Sequence, residues 1–214
     1  MSAPLVHLVD DDAALRTALA RLLTAAGLRV QPHASGEAFL AALAAAGAAD
    51  GAAACILLDM HMPGLSGLQL QAQLAAAGSI LPIVFLTGNG DIASSVKAIK
   101  AGAEDFLSKP IGKDQLLEAV GRALARCEAA RARHQELAAL RRRYAALTAR
   151  EAEVFALVVQ GLLNKQIAWQ LGNAERTVKA QRQAVMEKLA ANSVADLVRI
   201  GAALGLPKPR AIPV

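Results

Sequence analysis

The chain has few aromatic residues, two cysteines and no long apolar segment, and each shortage excludes a class of protein. Aromatic side chains make up 3% of the 214 residues, which argues against a surface that stacks the bases of single-stranded nucleic acid. Cys55 and Cys127 have no metal-binding or redox spacing, and Cys55 is expected to be a small buried residue. The chain lacks both a membrane-spanning apolar run and a basic N-terminal region followed by an apolar stretch. We therefore expect a cytoplasmic protein without a membrane partner.

Charge is distributed unevenly along the chain. Residues 1–140 carry 11 lysines and arginines against 13 acidic residues, a net charge of −2. Residues 141–214 carry 12 against 5, a net charge of +7. A basic C-terminal part indicates contact with a polyanion, but the asymmetry by itself does not identify that partner.

The first part of the chain alternates strand and helix patterns, as a doubly wound parallel sheet does. Strands are predicted at 5–9, 28–33, 54–59, 82–87 and 105–108. Helical patterns lie at 12–26, 36–46, 66–77, 91–101 and from 113 onward. Asp12 is the predicted N-cap of the first helix, and residues 89–91 are interpreted as a turn and a helix cap. The pattern predicts the flavodoxin-like strand order 2-1-3-4-5.

Four of these strands end in side chains that can bind ions. The side chains are Asp10 and Asp11 just past the first strand, Asp59 at the end of the third, Thr87 at the end of the fourth and Lys109 just past the fifth. Sites in open α/β sheets form at the carboxyl ends of the strands, so these residues should meet in one cleft. Crowded carboxylates favour Mg²⁺, and an aspartate beside it can accept a phosphoryl group. Each residue taken alone could equally be a helix cap, a turn or a surface charge.

The motifs around these residues resemble the receiver domain of two-component response regulators, over residues 4–122. The matching segments are Val9-Asp10-Asp11-Asp12, Leu58-Asp59-Met60-His61-Met62-Pro63-Gly64-Leu65-Ser66-Gly67, Phe85-Leu86-Thr87-Gly88 and Phe106-Leu107-Ser108-Lys109-Pro110. The resemblance implies that Asp59 is the phosphoacceptor. It implies that Mg²⁺ (or Mn²⁺) is held by Asp10, Asp11, Asp59 and the main-chain carbonyl of His61. It also implies a cis bond before Pro110, a phosphoryl contact by Lys109 and a switch formed by Thr87 and Phe106.

From Asp114 the helical pattern continues through a charged stretch. Apolar residues recur every three or four positions up to Leu124, and the seam resumes at Leu137 after a break. We predict the last helix of the sheet domain followed by a helical linker, which is either one long helix or a hinged one. A short dimeric coiled coil stays open as an alternative.

The C-terminal part has the layout of a helix-turn-helix domain. Thr148 and Glu151 form a predicted capping box at the start of its first helix, and Gly161 ends that helix. Asn164 is predicted to cap a short second helix, and Gly172 to make the turn that follows. A third helix is predicted near residues 175–189 and a fourth near residues 194–204.

The third of these helices has two different faces. Arg176, Lys179 and Gln183 lie three or four positions apart and share one face. An apolar stripe lies on another and consists of Val178, Val185 and Leu189. A helix of this kind, placed after a short helix and a turn, fits the major groove of DNA. Its alternative interpretation is a solvated basic face on an ordinary helical bundle.

Three segments here resemble a LuxR-type helix-turn-helix, over residues 144–206. They are Leu147-Thr148-Ala149-Arg150-Glu151-Ala152-Glu153-Val154, Gly161-Leu162-Leu163-Asn164-Lys165-Gln166-Ile167-Ala168 and Glu175-Arg176-Thr177-Val178-Lys179. The resemblance implies base contacts by Lys179, Ala180 and Gln183. It implies phosphate contacts by Lys165, Thr177, Arg182 and Lys188, and a dimer contact by the last helix. Ala174 departs from the family's usual Ser or Thr cap, a role that Asn173 could take over, and Gln181 departs from the usual His.

Together the two resemblances indicate the NarL/FixJ class of response regulators. We expect a receiver domain at 1–124, a helical linker at 125–146, an all-α DNA-binding domain at 147–208 and a tail at 209–214. A sensor histidine kinase would phosphorylate Asp59, and the resulting homodimer would bind double-stranded promoter DNA and engage RNA polymerase. Phosphotransfer and autodephosphorylation would be the only catalysis, so we expect no enzyme. The alternatives are a DNA-binding protein whose receiver is only an interaction module, and an aspartyl-phosphate hydrolase.

Overall fold

The computed structural model describes residues 3–46, 52–88 and 92–207. The predicted turn at 89–91 and the predicted tail at 209–214 lie outside the described residues. The chain divides into two compact units, Met1–Arg131 and Ala132–Val214. The first unit holds all the strands of the described part, and the second is helical. The domain boundaries at 124 and 146 stay predictions.

The first unit alternates strands and helices in the order that the sequence predicts. Its elements are β1 (Leu5–Val9), α1 (Ala13–Ala25), β2 (Arg29–His33), α2 (Gly36–Ala46), β3 (Ala54–Asp59), α3 (Gly67–Ala76), β4 (Ile83–Thr87), α4 (Ile92–Lys100), β5 (Asp105–Ser108) and the first part of α5 (Lys113–Ala145), up to Arg131. The strands form one parallel five-stranded sheet with the order β2-β1-β3-β4-β5. This is the predicted doubly wound topology, and the prediction is confirmed.

Apolar side chains cover both faces of this sheet. One core joins the sheet to α1 and α5 through residues such as Leu23 and Leu116. The other joins it to α2, α3 and α4, with Phe39 and Phe85 among its largest buried side chains. Every residue of the central strand β3 is buried, which is why its sequence is a continuous apolar run rather than an alternating one. Because all five strands are parallel, their carboxyl ends lie along the same edge of the sheet.

The helix α5 is continuous over 33 residues. Its buried residues lie in the first half and end at Cys127, while the second half is mostly exposed. The apolar residues Leu137, Leu140 and Tyr144 of this second half are half-buried.

The second unit contains the four predicted short helices. They are α6 (Ala149–Val159), α7 (Asn164–Leu171), α8 (Glu175–Leu189) and α9 (Val194–Ala203). The predicted capping box of α6 is present, because Thr148 accepts from the Glu151 N–H and Glu151 accepts from the Thr148 N–H. Gly172 has a left-handed conformation with φ of 65°, as the tight turn requires.

One predicted cap is wrong. Asn164 does not cap α7 but is its first residue, and Leu163 occupies the N-cap position. The backbone N–H of Leu163 donates to the side chain of Gln166, 2.8 Å away, which supplies half of a capping box. The Asn164 side chain instead accepts a hydrogen bond from Arg182 of α8 at 2.9 Å. The local sequence predicts a cap, but contact with α8 gives this amide a different partner.

No helix within the described ranges combines the length and the apolar character needed to span a bilayer.

Candidate functional site

Three aspartates meet at the carboxyl ends of β1 and β3. Asp10, Asp11 and Asp59 each have a carboxylate oxygen within 4.8 Å of one from both of the others. Asp10 is fully buried, Asp59 is 6% exposed and Asp11 is exposed to solvent. Clustered carboxylate oxygens with one open side are the ligand set that a hard divalent cation such as Mg²⁺ prefers. The cluster therefore fits such an ion.

Lys109 connects two of these aspartates. Its ammonium lies 2.9 Å from an oxygen of Asp10 and 3.2 Å from an oxygen of Asp59. Burial alone would lower the pKa of Lys109, but the hydrogen bond to Asp10 and the negative charges of Asp59 and Asp10 outweigh it and raise the pKa. The side chain is accordingly a fixed cation at the site.

Asp59 is held in an environment that disfavours its charge. Burial raises the pKa of the Asp59 carboxyl, the ammonium of Lys109 opposes that shift, and the charge of Asp10 adds to it. A backbone hydrogen bond from His61 also lowers the pKa, but the net direction is upward. A cation or an added ammonium contact would relieve this repulsion. The side chain of His61 is exposed.

The predicted switch residues lie on the neighbouring strands β4 and β5. Thr87 is buried, and its hydroxyl donates to the carbonyl of Gly88 at 3.2 Å. The N–H of Lys109 donates to the carbonyl of Thr87 at 2.7 Å, so the two strand ends are directly linked. Phe106 is 44% exposed on β5, and the bond between Lys109 and Pro110 is cis, as the resemblance implies.

Two residues near this site were missed by the sequence analysis. Arg16 of α1 donates to the main-chain carbonyl of Asp10 at 2.5 Å. Glu37, in the first turn of α2, accepts the N–H of Leu65 at 3.0 Å and so holds the loop that joins β3 to α3. A β-carbon on Gly64 would lie 2.9 Å from the Glu37 carboxylate, which shows how closely that side chain approaches the loop. An acidic first-turn residue was the only sequence signal for Glu37, and Arg16 had none.

The surface beside the switch carries exposed apolar side chains. Val96 and Ile99 of α4 and Phe106 of β5 are each more than two-fifths exposed. Next to Phe106, residues of β5 and α5 line a shallow cavity of about 270 Å³. Exposed large apolar side chains on neighbouring elements favour contact with another protein surface.

In the second unit, α8 presents the two predicted faces. Val178, Val185 and Leu189 are fully buried and pack in a core with α6 and α7. The opposite face is exposed and includes Arg176, Thr177, Lys179, Ala180 and Gln183. Among the described residues, Lys165, Arg176 and Lys179 form no ion pair or side-chain hydrogen bond. These three cations are therefore available to an external anion.

Three of the other predicted contact residues already have partners inside the unit. Arg182 donates to Asn164, and Gln183 donates to Glu187 at 2.9 Å. The ammonium of Lys188 lies 2.6 Å from Glu151. The basic residues of this unit thus divide into a group that holds the fold together and a group that faces solvent.

The positions that depart from the LuxR-type pattern also have distinct surroundings. Ala174 is the N-cap of α8 and supplies no side-chain hydrogen bond. Asn173 does not replace it, because the Asn173 side chain accepts from Arg150 at 3.3 Å instead. Within the described residues, the side-chain oxygen of Gln181 is the one buried polar side-chain atom without a hydrogen bond. Trp169 of α7 is 87% exposed on the side away from the core.

Two family models match this chain, one over each unit. The model described as response regulator receiver domain matches residues 6–121. The model described as bacterial regulatory proteins, luxR family, matches residues 145–201.

Similar proteins match over nearly the full length of the chain. Response regulator protein TmoT of Ectopseudomonas mendocina is 42% identical over 195 residues, which cover 91% of this chain and 86% of that protein. Transcriptional regulatory protein FixJ of Rhizobium meliloti is 40% identical over 200 residues, which cover 94% and 96%. The solved structure of response regulator StyR has a TM-score of 0.78 at 40% identity and covers 94% of this chain and 99% of that one.

Proposed function

The chain belongs to the response regulators of the NarL/FixJ class, which join a receiver domain to a LuxR-type DNA-binding domain, and from this premise we propose how it is switched. A sensor histidine kinase transfers a phosphoryl group to Asp59 in a reaction that depends on Mg²⁺. The phosphorylated chain dimerises, binds promoter DNA and regulates transcription together with RNA polymerase.

The proposed reaction uses side chains that are already adjacent. A carboxylate oxygen of Asp59 attacks phosphorus, the phosphorus–nitrogen bond of the kinase phosphohistidine breaks, and the imidazole leaves with the bonding electron pair. Lys109, next to Asp59, neutralises charge on the transferring oxygens. Asp10, Asp11, Asp59 and the carbonyl of His61 would hold Mg²⁺, which when bound screens those oxygens.

Phosphorylation is then read by Thr87 and Phe106. The Thr87 hydroxyl, now bonded to the carbonyl of Gly88, turns to the phosphoryl group. Phe106, exposed on the adjacent strand, rotates toward the space that Thr87 leaves. The surface formed by Val96, Ile99 and Phe106 changes shape and becomes the dimer contact. A local change in charge thereby selects one of two states of the domain.

The output is DNA binding through α8. Lys179, Ala180 and Gln183 face the bases, while Lys165, Thr177 and the free Arg176 contact phosphates. Arg182 and Lys188 reach phosphates only by sharing or releasing Asn164 and Glu151. The α9 helix forms the dimer contact of this domain, so that two α8 helices meet two half-sites.

One observation carries the proposal: the ammonium of Lys109 lies between the carboxylates of the buried residues Asp10 and Asp59 and contacts both. A solvated surface aspartate would need no such partner. The proposal is supported by the closeness of these groups, since the Lys109 ammonium and the carboxylates of Asp10, Asp11 and Asp59 lie within one cleft.

The test is gel filtration with light scattering on the full chain, with and without acetyl phosphate and Mg²⁺. We expect a shift from monomer to dimer in the wild type and none in Asp59→Asn. Asp114→Asn, which removes an exposed carboxylate at the start of α5, is the matched control and should shift like the wild type. Ile99→Lys should be phosphorylated without dimerising.

The outcomes separate the parts of the proposal. Mass spectrometry that detects no phosphoryl group on Asp59 would favour the interaction-module alternative. If Asp59 is phosphorylated but light scattering still gives the molar mass of a monomer, only the dimer step would be overturned.

A further inference from the structure

The recognition helix α8 begins without a side-chain cap. Its N-cap residue, Ala174, has the extended backbone conformation of a cap, with φ of −71° and ψ of 144°, but no acceptor atom. Serine or threonine at this position would accept an N–H of the first turn and fix the path by which the chain enters the helix. The direction of α8 must therefore be held by some other contact.

Arg150 of α6 makes that contact. Its guanidinium donates to the carbonyl of Leu171, the last residue of α7, at 2.6 Å, and to the side chain of Asn173 at 3.3 Å. One acceptor ends α7, and the other lies in the turn between α7 and α8. A second nitrogen of the same guanidinium lies 2.6 Å from Glu153, one turn further along α6. Glu153 thus orients the planar guanidinium on one side, and its other side donates to Leu171 and Asn173.

The contact suits the groups that it joins. The carbonyls at the end of a helix lack partners within the helix and carry partial negative charge, which a guanidinium satisfies. The side chain of Asn173, the nearest alternative cap, is used by Arg150 instead. The turn is thereby tied to α6, which is itself anchored in the core by Val154 and Phe155.

We propose that Arg150 is a positioning residue for DNA recognition, which takes over the role of the missing cap by holding the turn that aims α8. The inference rests on the DNA-binding role of the second unit. It separates Arg150 from the phosphate-contacting cations, because both terminal nitrogens of its guanidinium already have partners within the domain. Loss of Arg150 should impair base reading more than general attraction to DNA.

The test is a double-mutant cycle between Arg150→Met and Ala174→Ser on the full chain, with acetyl phosphate and Mg²⁺ present throughout. The probe is a fluorescein-labelled duplex that the wild type enriches from a library of random duplexes, with a scrambled duplex as reference. We expect Arg150→Met to raise the Kd for the enriched duplex about tenfold, the loss typical of one helix cap, and to change the scrambled duplex far less. Ala174→Ser should recover most of that loss in the Arg150→Met background but change the wild-type Kd less than about twofold.

Two further variants make the result decisive. Arg133→Met removes an exposed arginine of the same unit that has no partner among the described residues, and it controls for the loss of one charge. Arg150→Lys keeps the charge and a single donor and should fall between wild type and Arg150→Met, which guards against a variant that fails to fold.

Additive effects of the two substitutions would overturn the inference. So would a smaller slope of log Kd against log salt in Arg150→Met than in Arg133→Met, since that result would make Arg150 a phosphate contact. A wild type that enriches no duplex would instead overturn the DNA-binding role itself.

Discussion

The ammonium of Lys188 lies 2.6 Å from the carboxylate of Glu151 and ties the last turn of α8 to the first turn of α6. The same oxygen of Glu151 accepts the N–H of Thr148 at 2.7 Å. The hydrogen bonds from Lys188 and Thr148 hold the pKa of Glu151 below its ordinary value. A cation that the LuxR-type resemblance assigns to a DNA phosphate is thus engaged within the domain.

Replacing Lys188 should therefore affect the fold before it affects phosphate binding. We expect Lys188→Met to lower the thermal midpoint of the second unit and to leave the salt dependence of DNA binding unchanged. Lys179→Met, which removes a free cation on the exposed face, should reduce the slope of log Kd against log salt by about one. Melting curves and fluorescence anisotropy at several salt concentrations measure both. A reduced slope in Lys188→Met would restore this residue to the phosphate contacts.

Crowding of the three aspartates should cost stability when no metal ion is present. Because burial raises the pKa of Asp59, the folded state binds a proton more readily than the unfolded state, and its stability declines as the pH rises through the folded pKa. Asp59→Asn removes one charge and should raise the thermal midpoint at neutral pH in the presence of a chelator. The gain should disappear at acidic pH, where Asp59 is protonated.

Mg²⁺ should stabilise the wild type and have less effect on Asp59→Asn. Calorimetric melting with and without Mg²⁺ checks this, with Asp114→Asn as the control. Equal stabilisation of all three proteins would mean that the ion binds elsewhere.

A buried pair of histidines should make the first unit sensitive to mild acid. The Nδ1 atom of His7 lies 3.3 Å from Nε2 of His33, and both rings pack edge-on against Phe39. Burial, with a contribution from His33, lowers the pKa of His7 from 6.5 to about 4. The unfolded chain therefore binds a proton between these pH values that the folded chain does not.

The contribution of His7 to the free energy of unfolding should then be fully present above pH 6.5 and fall as the pH drops toward about 4. The slope for one proton approaches about 1.4 kcal/mol per pH unit. Urea unfolding at a series of pH values should show a shallower fall for His7→Phe than for the wild type. His134→Phe, on the exposed part of α5, serves as the control. Parallel curves for His7→Phe and the wild type would contradict the assignment.

Glu37 should support the metal site through the loop between β3 and α3. Its carboxylate accepts the N–H of Leu65, and that loop carries the carbonyl of His61. We expect Glu37→Ala to weaken Mg²⁺ binding about tenfold, a loss typical of residues that orient metal ligands. Glu37→Gln keeps an acceptor oxygen and should be affected less. Titration calorimetry measures the affinity, with Glu136→Ala on α5 as the control, and an unchanged Kd in Glu37→Ala would remove the loop from this role.

Local patterns predict the elements of this protein well, because the elements are set by local physics. The strands β1, β3 and β4 are largely apolar runs, and the fully buried β3 is the clearest of them. The bounds of α8 agree with the prediction because its charged and apolar faces follow the helical repeat. The capping box of Thr148 and Glu151 could be predicted since its two members are three residues apart.

The partners of long side chains could not be predicted in this way. Arg150 and Leu171, Glu37 and Leu65, and Asn164 and Arg182 are pairs separated by 21, 28 and 18 residues. Which of several acceptors a guanidinium or amide reaches depends on how the helices pack. The strand-end residues Asp10, Asp59 and Lys109 are the exception, because the topology of a parallel sheet brings its strand ends together.

The exposed side chain of Trp169 gives this protein a spectroscopic property of its own. It is the single tryptophan of the chain, and the single tyrosine, Tyr144, lies in the same compact unit. The receiver unit contains phenylalanine as its only aromatic hydrocarbon side chain, so it is nearly silent in near-ultraviolet emission. When the protein is excited at the red edge of tryptophan absorption, its fluorescence therefore comes from Trp169 in α7 alone. Events at Asp59 become visible in that signal only when they reach the DNA-binding domain, which makes unlabelled protein its own reporter of communication between the two domains.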